Sequence, residues 1–142
     1  MIWESLESFV KAGVKSSEEA LKNLLAEAER TDAFKQLSEM ENLYPSGIGK
    51  GVVLYKKRIK DRNPELYIKI ASPPVEYNSF DGVPISIFCF LITPLDDTLH
   101  LRYLTRLYRL INFSSFRERL LKSESLEEVR KLIKREEEGF ET

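Results

Sequence analysis

The sequence predicts an α/β fold: a single-domain mixed β-sheet with helices on both faces. Three observations support this prediction. Apolar residues recur at helical spacing towards both ends of the chain, they alternate or run unbroken in its middle, and a length of 142 residues suits one domain. Helices first, strands in the middle and helices last make one layered structure. We therefore expect one domain over residues 1–142, with a core from about residue 14 to residue 134 and a frayed acidic tail at 135–142.

Two helices are predicted at the start of this core. Ser16 and Glu19 have the spacing of a capping box, in which side chains accept hydrogen bonds from backbone N–H groups of the first turn. Leucines follow at helical spacing, so the first helix should cover residues 17–30. Asp32 should cap the second helix. The inward-facing residues of that helix should be Phe34, Leu37 and Met40.

A loop and two strands should come next. Residues 44–51 contain one proline and three glycines, which end any helix there. An apolar strand is expected at residues 52–55. Apolar and polar residues alternate at 66–70, which predicts a strand with one buried face.

A hairpin is predicted in the middle of the chain. Asp81 and Gly82 form a dipeptide that readily supplies a tight turn, and candidate strands lie on either side of it at residues 75–80 and 84–92. The second of these strands is apolar on nearly every side, as in a central strand covered on both faces. Pro94 should end it.

A long helix should begin near Thr98, because Asp96 and Asp97 lie where its electropositive start would be. Its spacing predicts a buried stripe of Leu101, Leu104, Leu107, Tyr108 and Ile111. Three arginines lie on another face, which we expect to be solvated and paired with acids; they are Arg102, Arg106 and Arg109. Two further helices are predicted at residues 113–122 and 126–134, the second capped by Ser125 and Glu128.

The composition excludes several classes of protein. The 22 lysines and arginines balance 23 acidic residues, so the net charge of -1 argues against a nucleic-acid partner. No apolar run approaches the ~20 residues that a membrane-spanning helix needs, so no membrane insertion is expected. The chain does not start with a cationic segment followed by an apolar one, as a signal peptide would. A cytoplasmic location is therefore expected.

Cys89 and His100 are the single cysteine and the single histidine of the chain. One cysteine excludes an internal disulfide and any multi-cysteine metal site. One histidine excludes the usual metal centres with two or three histidines. No metal and no other cofactor is expected, and Cys89 should be a buried thiol without a redox role because it lies in an apolar run.

Several short motifs occur in a familiar order. They are Gly-Ile-Gly-Lys-Gly-Val-Val-Leu at 47–54, Asp-Gly-Val-Pro at 81–84, and His100-Leu101 at the start of a leucine-rich helix. Together they resemble the fructose/mannitol-type (type 2) enzyme IIA domain, over nearly the whole chain from Val14 to Lys134. The resemblance implies a phosphocarrier domain of the bacterial phosphoenolpyruvate-dependent phosphotransferase system, a family that includes the nitrogen-regulatory IIA proteins.

The chain departs from that family where the phosphoryl group would be held. The family motif Gly-Ile-Ala-Ile-Pro-His-Gly contains the histidine that receives the phosphoryl group from the carrier HPr. In this alignment Tyr55 replaces the proline, Lys56 occupies the phosphoacceptor position, and Met40 replaces an arginine that helps to hold phosphate. The resemblance implies that His100 is the second family histidine, which lies beside the acceptor.

The missing histidine decides the predicted function. A neutral imidazole has a lone pair at pH 7, whereas a lysine ammonium, with an ordinary pKa near 10.4, has none. We therefore predict a regulatory pseudoenzyme of the IIA type that binds a protein partner and has lost HPr as a donor. The alternative is a phosphocarrier that accepts a phosphoryl group from HPr on His100.

A basic segment follows the glycine loop. Residues 50–62 carry six basic side chains and one acid. Lys56, Lys57, Arg58 and Lys60 are the candidate residues for binding an acidic partner or an anion. The alternative interpretation is a solvated strand end. The sequence leaves the sugar or pathway, the identity of the partner and the oligomeric state open.

Overall fold

The structure is a computed structural model that describes residues 1–43, 47–77 and 80–140. The main elements are β1 (Leu6–Ala12), α1 (Ser17–Glu27), α2 (Phe34–Leu43), β2 (Gly47–Gly49), β3 (Val52–Arg58), β4 (Glu65–Val75), β5 (Ile85–Thr93), α3 (Asp97–Asn112), α4 (Ser114–Lys122) and α5 (Leu126–Gly139). Short 3-10 helices occur at Ile2–Ser5 and Thr31–Ala33.

The five strands form one sheet in the order β1-β4-β5-β3-β2. β2 and β3 pair antiparallel. β5 is the middle strand, and all of its residues except Ser86 are buried, as its continuous apolar sequence predicts. The α/β class with a mixed sheet is therefore confirmed.

Contacts divide the chain into two compact units. The first unit comprises Met1–Phe9, Lys56–Leu66 and Leu91–Thr142, and the second comprises Val10–Tyr55 and Tyr67–Phe90. The single domain over residues 1–142 stays a prediction.

In the second unit, α1 begins as its sequence predicts. Ser16 Oγ accepts a hydrogen bond from Glu19 N at 3.1 Å, and Glu19 Oε2 accepts one from Lys15 N at 2.9 Å. The helix ends at Glu27, three residues before the predicted end. Glu29 has a φ of 56°, which closes the last turn through a hydrogen bond from Arg30 N to Leu25 O at 2.7 Å.

The prediction for α2 is right in place and wrong in two details. Leu37 is buried as expected, but Met40 is half exposed. Asp32 lies inside the 3-10 helix Thr31–Ala33, so it is not the residue that begins α2. The chain reaches α2 through that turn, which shifts the start of the helix to Phe34.

The glycine segment is partly a strand. Gly47–Gly49 forms β2, so the loop prediction was wrong there, and residues 44–46 lie outside the described part. Gly51 has a φ of 78°, and its carbonyl oxygen accepts hydrogen bonds from Ser86 N and Ile87 N at 3.0 and 3.1 Å. A Cβ at Gly51 would lie 3.0 Å from Pro84 O. The glycine is required because the backbone approaches closely here.

β4 is buried more completely than its alternating pattern predicts. All residues from Leu66 to Ala71 are buried, including Lys69, so the prediction of one buried face was wrong. Lys69 Nζ donates to Asn23 Oδ1 of α1 at 2.8 Å, which gives the buried ammonium a hydrogen-bond acceptor. Burial lowers the pKa of Lys69, and the charges of Glu19 and Glu27 oppose that shift.

The turn predicted at Asp81 and Gly82 is present, but the tight hairpin is not, because β4 ends at Val75 and β5 begins only at Ile85. Gly82 has a φ of 70°, and Asp81 Oδ1 accepts a hydrogen bond from Val83 N at 3.1 Å. The strand predicted at 75–80 was wrong beyond Val75, because residues 76, 77 and 80 lie outside regular strands and residues 78–79 lie outside the described part. Burial of Cys89 in β5 raises the pKa of its thiol to about 12, so this thiol stays protonated at neutral pH.

In the first unit, the residues at the start of the chain contact α5 through Glu137. Ile2 and Leu6 are buried, so the core begins well before residue 14. α5 continues to Gly139, and Glu137 is fully buried. Glu137 accepts hydrogen bonds from Ile2 N at 2.9 Å and Trp3 N at 2.7 Å. The prediction of a frayed tail was therefore wrong for residues 135–140.

α3 has the predicted start and a displaced buried face. Asp96 Oδ1 accepts a hydrogen bond from Leu99 N at 2.9 Å, which caps the helix. Leu107, Leu110 and Ile111 are buried, whereas Leu101 is 58% exposed. The predicted stripe was therefore wrong at its first residue and missed Leu110. In the described part of the chain, no helix is long and apolar enough to cross a membrane.

Candidate functional site

His100 lies in the first turn of α3, directly after the middle strand of the sheet. Its backbone N donates to Asp96 O at 3.0 Å, so the ring is carried by regular helix. Its Nδ1 lies 2.7 Å from Oγ1 of Thr93, the last residue of β5. Thr93 is buried, and this hydrogen bond fixes the orientation of the imidazole between a strand end and a helix start.

The surroundings of His100 favour its neutral form. Burial lowers the pKa of His100 most, and the positive charges of Arg58 and Lys56 lower it further. Asp97 acts in the opposite direction. The pKa remains below its ordinary value of 6.5, so the imidazole is uncharged at pH 7 and one ring nitrogen carries a lone pair.

Arg58 has a positioning role next to this histidine. Its Nη2 lies 2.8 Å from Asp97 Oδ1, and its Nε donates to Pro94 O at 3.3 Å. Ile59 N also donates to Thr93 O at 2.8 Å. These contacts hold the end of β3 beside the segment that leads into α3, which explains why the charges of Lys56 and Arg58 act on His100.

The basic segment is partly neutralised. Arg58 is paired with Asp97, and Arg62 donates to Glu65 Oε2 at 2.8 Å. Lys56 is exposed at the end of β3 and makes no ion pair with the residues that the structure describes. Lys57 is half buried, and Lys60 is exposed in a turn where Asp61 has a φ of 58°. Lys56 and Lys60 are therefore the exposed lysines of this segment, and Arg58 is part of the scaffold.

Sequence reasoning missed two members of the site. Thr93 binds the His100 ring, and Asp97 pairs with Arg58. A hydroxyl at the last position of a buried strand was a signal for Thr93, because such a group needs a partner. Asp97 was interpreted as a helix-start residue, which it also is. Its pairing with a residue 39 positions earlier could not be derived from sequence.

The titration of His100 tests this arrangement directly. We expect the Cε1 proton resonance of His100 to titrate with a midpoint below 6.5. In the Lys56→Glu variant this midpoint should rise, because a positive charge that lowers the pKa of His100 is replaced by a negative charge that stabilises the imidazolium. The measurement is a pH series of proton NMR spectra, which a single histidine makes unambiguous. Lys122→Glu, the same charge change at an exposed residue of α4, is the matched control and should leave the midpoint unchanged. Equal midpoints in the wild type and the Lys56→Glu variant would contradict the geometry.

The same shift has a consequence for stability. The unfolded chain binds a proton at an ordinary histidine pKa near 6.5, above that of the folded protein. The free energy of unfolding should therefore fall as the pH falls below about 6.5, and this loss should stop once His100 of the folded protein is protonated.

The sequence and the structure of this chain are similar to those of known proteins. A nitrogen regulatory protein homolog from Haemophilus influenzae is 28% identical over 97 residues, which cover 66% of this chain. The chain spans 52% of the length of that relative. The crystal structure of the nitrogen regulatory protein IIA-Ntr from Neisseria meningitidis is 27% identical with a TM-score of 0.82, and the match covers 93% of this chain and 98% of that one.

More distant structures share the fold. The crystal structure of IIA mannitol from Escherichia coli is 17% identical with a TM-score of 0.72, and the match covers 89% of this chain and 95% of that one. A family model described as the phosphoenolpyruvate-dependent sugar phosphotransferase system, EIIA 2, matches residues 4–136. The match includes both the strand end that carries Lys56 and the helix start that carries His100. The chain therefore belongs to the EIIA 2 family of the phosphoenolpyruvate-dependent sugar phosphotransferase system.

Proposed function

We propose that this chain is a regulatory IIA protein that acts by binding a protein partner and does not carry a phosphoryl group. The observation that carries the proposal is the single histidine. That histidine is His100, while the resemblance to the family assigns the phosphoacceptor position to Lys56. An exposed ammonium has no lone pair with which to attack phosphorus.

The relatives support a regulatory role. The Haemophilus and Neisseria proteins are both named nitrogen regulatory proteins, and the Neisseria structure is similar over nearly the whole of both chains. Regulation by contact requires a recognition surface and no reacting group. This chain retains the fold and lacks a histidine at position 56, which is the combination expected of a protein that has kept only the binding part of its role.

The surface proposed for the partner consists of Lys56, Lys57 and Lys60. All three belong to the segment around β3 and the turn after it, and Lys56 and Lys60 are exposed. The partner would present carboxylates to these ammonium groups. The same charges would repel the basic surface through which HPr docks in the family, which favours loss of HPr as a partner. Arg58 is excluded from this surface because its guanidinium is bound to Asp97 and to Pro94 O.

Charge reversal tests the partner surface. We expect a protein captured specifically from a lysate of cells that express the native chain to be lost, at least tenfold, in the Lys56→Glu, Lys57→Glu double variant. Quantitative mass spectrometry of the captured proteins gives the measurement. Lys122→Glu with Lys131→Glu makes the same charge change at exposed residues of α4 and α5 and should retain the partner. If the Lys56/Lys57 variant captures every protein that the wild type captures, the lysine surface is not the docking site.

A second function is favoured by the environment of His100. Its lowered pKa keeps the ring neutral, and when Nδ1 donates its hydrogen to Thr93 Oγ1 the lone pair lies on Nε2. A neutral imidazole can accept a phosphoryl group from a phosphohistidine donor. The alternative function is therefore a phosphocarrier that uses His100, and an acid-labile phosphoryl adduct lost in His100→Ala would establish it.

A further inference from the structure

The arginine face of α3 is the most prominent feature outside the His100 site. The sequence predicts that Arg102, Arg106 and Arg109 are solvated and paired with acids. Arg106 is paired, because its Nη1 lies 3.4 Å from Glu137 Oε2. Arg102 and Arg109 are exposed and make no ion pair with residues in the described part of the chain. Within residues 1–43, 47–77 and 80–140, two guanidinium groups of this face therefore have no acidic partner.

These arginines line a groove of about 390 Å³. Positions 102, 106 and 109 are spaced by four and three residues, so they lie along one side of the helix. The other lining residues are Thr98, Leu101, Thr105 and Phe140. The lining extends from Thr98 to Arg109, which is about 16 Å along a helix with a rise of 1.5 Å per residue.

Two of the three guanidinium groups, those of Arg106 and Arg109, are held in place before any ligand arrives. Arg109 Cζ lies 4.0 Å from the centre of the Phe140 ring, so the guanidinium packs over that ring. Arg106 is held by the buried carboxylate of Glu137. Long side chains that are already ordered lose less entropy on binding, which favours affinity.

Among the lining residues that the structure describes, none carries a carboxylate that would compete with a ligand for Arg102 and Arg109. Glu137 lies beneath Arg106, but it is fully buried and already accepts hydrogen bonds from Ile2 N and Trp3 N. The groove also contains apolar surface, because Leu101 is 58% exposed and Phe140 is half buried. Its chemistry is therefore cationic along one side and apolar in between.

We propose that this groove binds an acidic segment of a partner protein, with carboxylates on Arg102 and Arg109 and an apolar side chain against Leu101 and Phe140. Arginine forks match carboxylates in geometry as well as in charge. The groove is longer than a single small anion, and the mixture of apolar and cationic lining fits a peptide that combines leucine with glutamate. Nucleic acid is disfavoured because the whole chain has a net charge of -1.

The proposal goes beyond the lysine surface at the end of β3, and it is tested with purified protein alone, without HPr and without a lysate. The probe is a fluorescein-labelled peptide of repeated Leu-Glu-Glu triplets, and the readout is fluorescence anisotropy. We expect saturable binding that weakens at least about tenfold in the Arg102→Glu, Arg109→Glu double variant and that weakens as the salt concentration rises. A peptide with glutamine in place of glutamate should not bind.

The matched control is again the Lys122→Glu, Lys131→Glu variant, which has the same net charge as the arginine variant and should bind like the wild type. Circular dichroism must show that both variants are folded. Absent binding, or an equal loss in both variants, would overturn the proposal. Stabilisation by inorganic phosphate that requires Arg102 and Arg109, without peptide binding, would assign the groove to a small anion instead. Self-association that the arginine variant abolishes would assign it to a second copy of the chain.

Discussion

Replacing Glu137 with alanine should lower the free energy of unfolding by about 3–5 kcal/mol, the range found when one partner of a buried charge pair is removed. The Glu137 carboxylate accepts hydrogen bonds from Ile2 N at 2.9 Å and Trp3 N at 2.7 Å, and it lies 3.4 Å from Arg106. Alanine would leave two backbone N–H groups and one guanidinium without this acceptor and would open a cavity. Urea denaturation followed by circular dichroism measures the difference.

Two further variants make this result interpretable. Glu137→Gln keeps the volume and one acceptor oxygen but places an NH₂ group against a backbone donor, so its loss should be intermediate. Glu138→Ala removes the exposed neighbouring acid on the same helix and should change stability by less than about 0.5 kcal/mol. If the Glu137→Ala variant unfolds at the same urea concentration as the wild type, the carboxylate does not hold the start of the chain.

The burial of Glu137 is a feature that could not be predicted from the sequence. A run of three glutamates near the end of a chain is usually solvated, and nothing local separates the buried one from its neighbours. Its hydrogen-bond partners are 134 and 135 residues away, and they are backbone groups, which carry no residue-type signal. The same lack of local signal hid β1, because apolar and polar residues do not alternate regularly in the sequence of Leu6–Ala12.

Sequence periodicity predicted the helices and strands in which apolar residues recur regularly. α1, α3 and β5 have strong apolar patterns, and each was found within a few residues of its predicted position. The pattern failed where a polar residue is buried with a partner. The alternating pattern of β4 predicted that Lys69 faces outward, but Lys69 is buried and its ammonium group donates a hydrogen bond to Asn23 of α1. The prediction for Leu101 was wrong in the opposite sense. Its helical spacing predicted burial, but Leu101 is exposed beside the arginine groove.

The residues of the candidate site could be predicted from the sequence in part only. His100 and Lys56 could be singled out from sequence because the chain has a single histidine and because the motifs resemble a known family. The electrostatic coupling between them depends on Arg58, Thr93 and Asp97, which bring the end of β3 beside the start of α3. Such contacts follow from the order of strands in the sheet, and strand order cannot be read from periodicity.

Installing histidine at position 56 should turn this protein into a phosphoryl acceptor. We expect the wild type to gain no adduct when it is incubated with phosphoenolpyruvate, enzyme I and HPr in large excess. The excess compensates for the repulsion between HPr and the lysine surface. Under the same conditions we expect the Lys56→His variant to gain one phosphoryl group on most molecules. In the transfer an N–P bond to the phosphohistidine of HPr breaks and an N–P bond to the new imidazole forms. The neutral ring supplies the electron pair that an ammonium lacks. Intact-mass spectrometry before and after mild acid treatment measures the adduct.

The controls separate the nucleophile from the charge. Lys56→Gln removes the same positive charge beside His100 without adding a lone pair, so it should remain unmodified. HPr must itself be phosphorylated in each reaction. A folded Lys56→His variant that stays unmodified would show that position 56 is not the acceptor position, and an acid-labile adduct on the wild type would show that His100 carries phosphate.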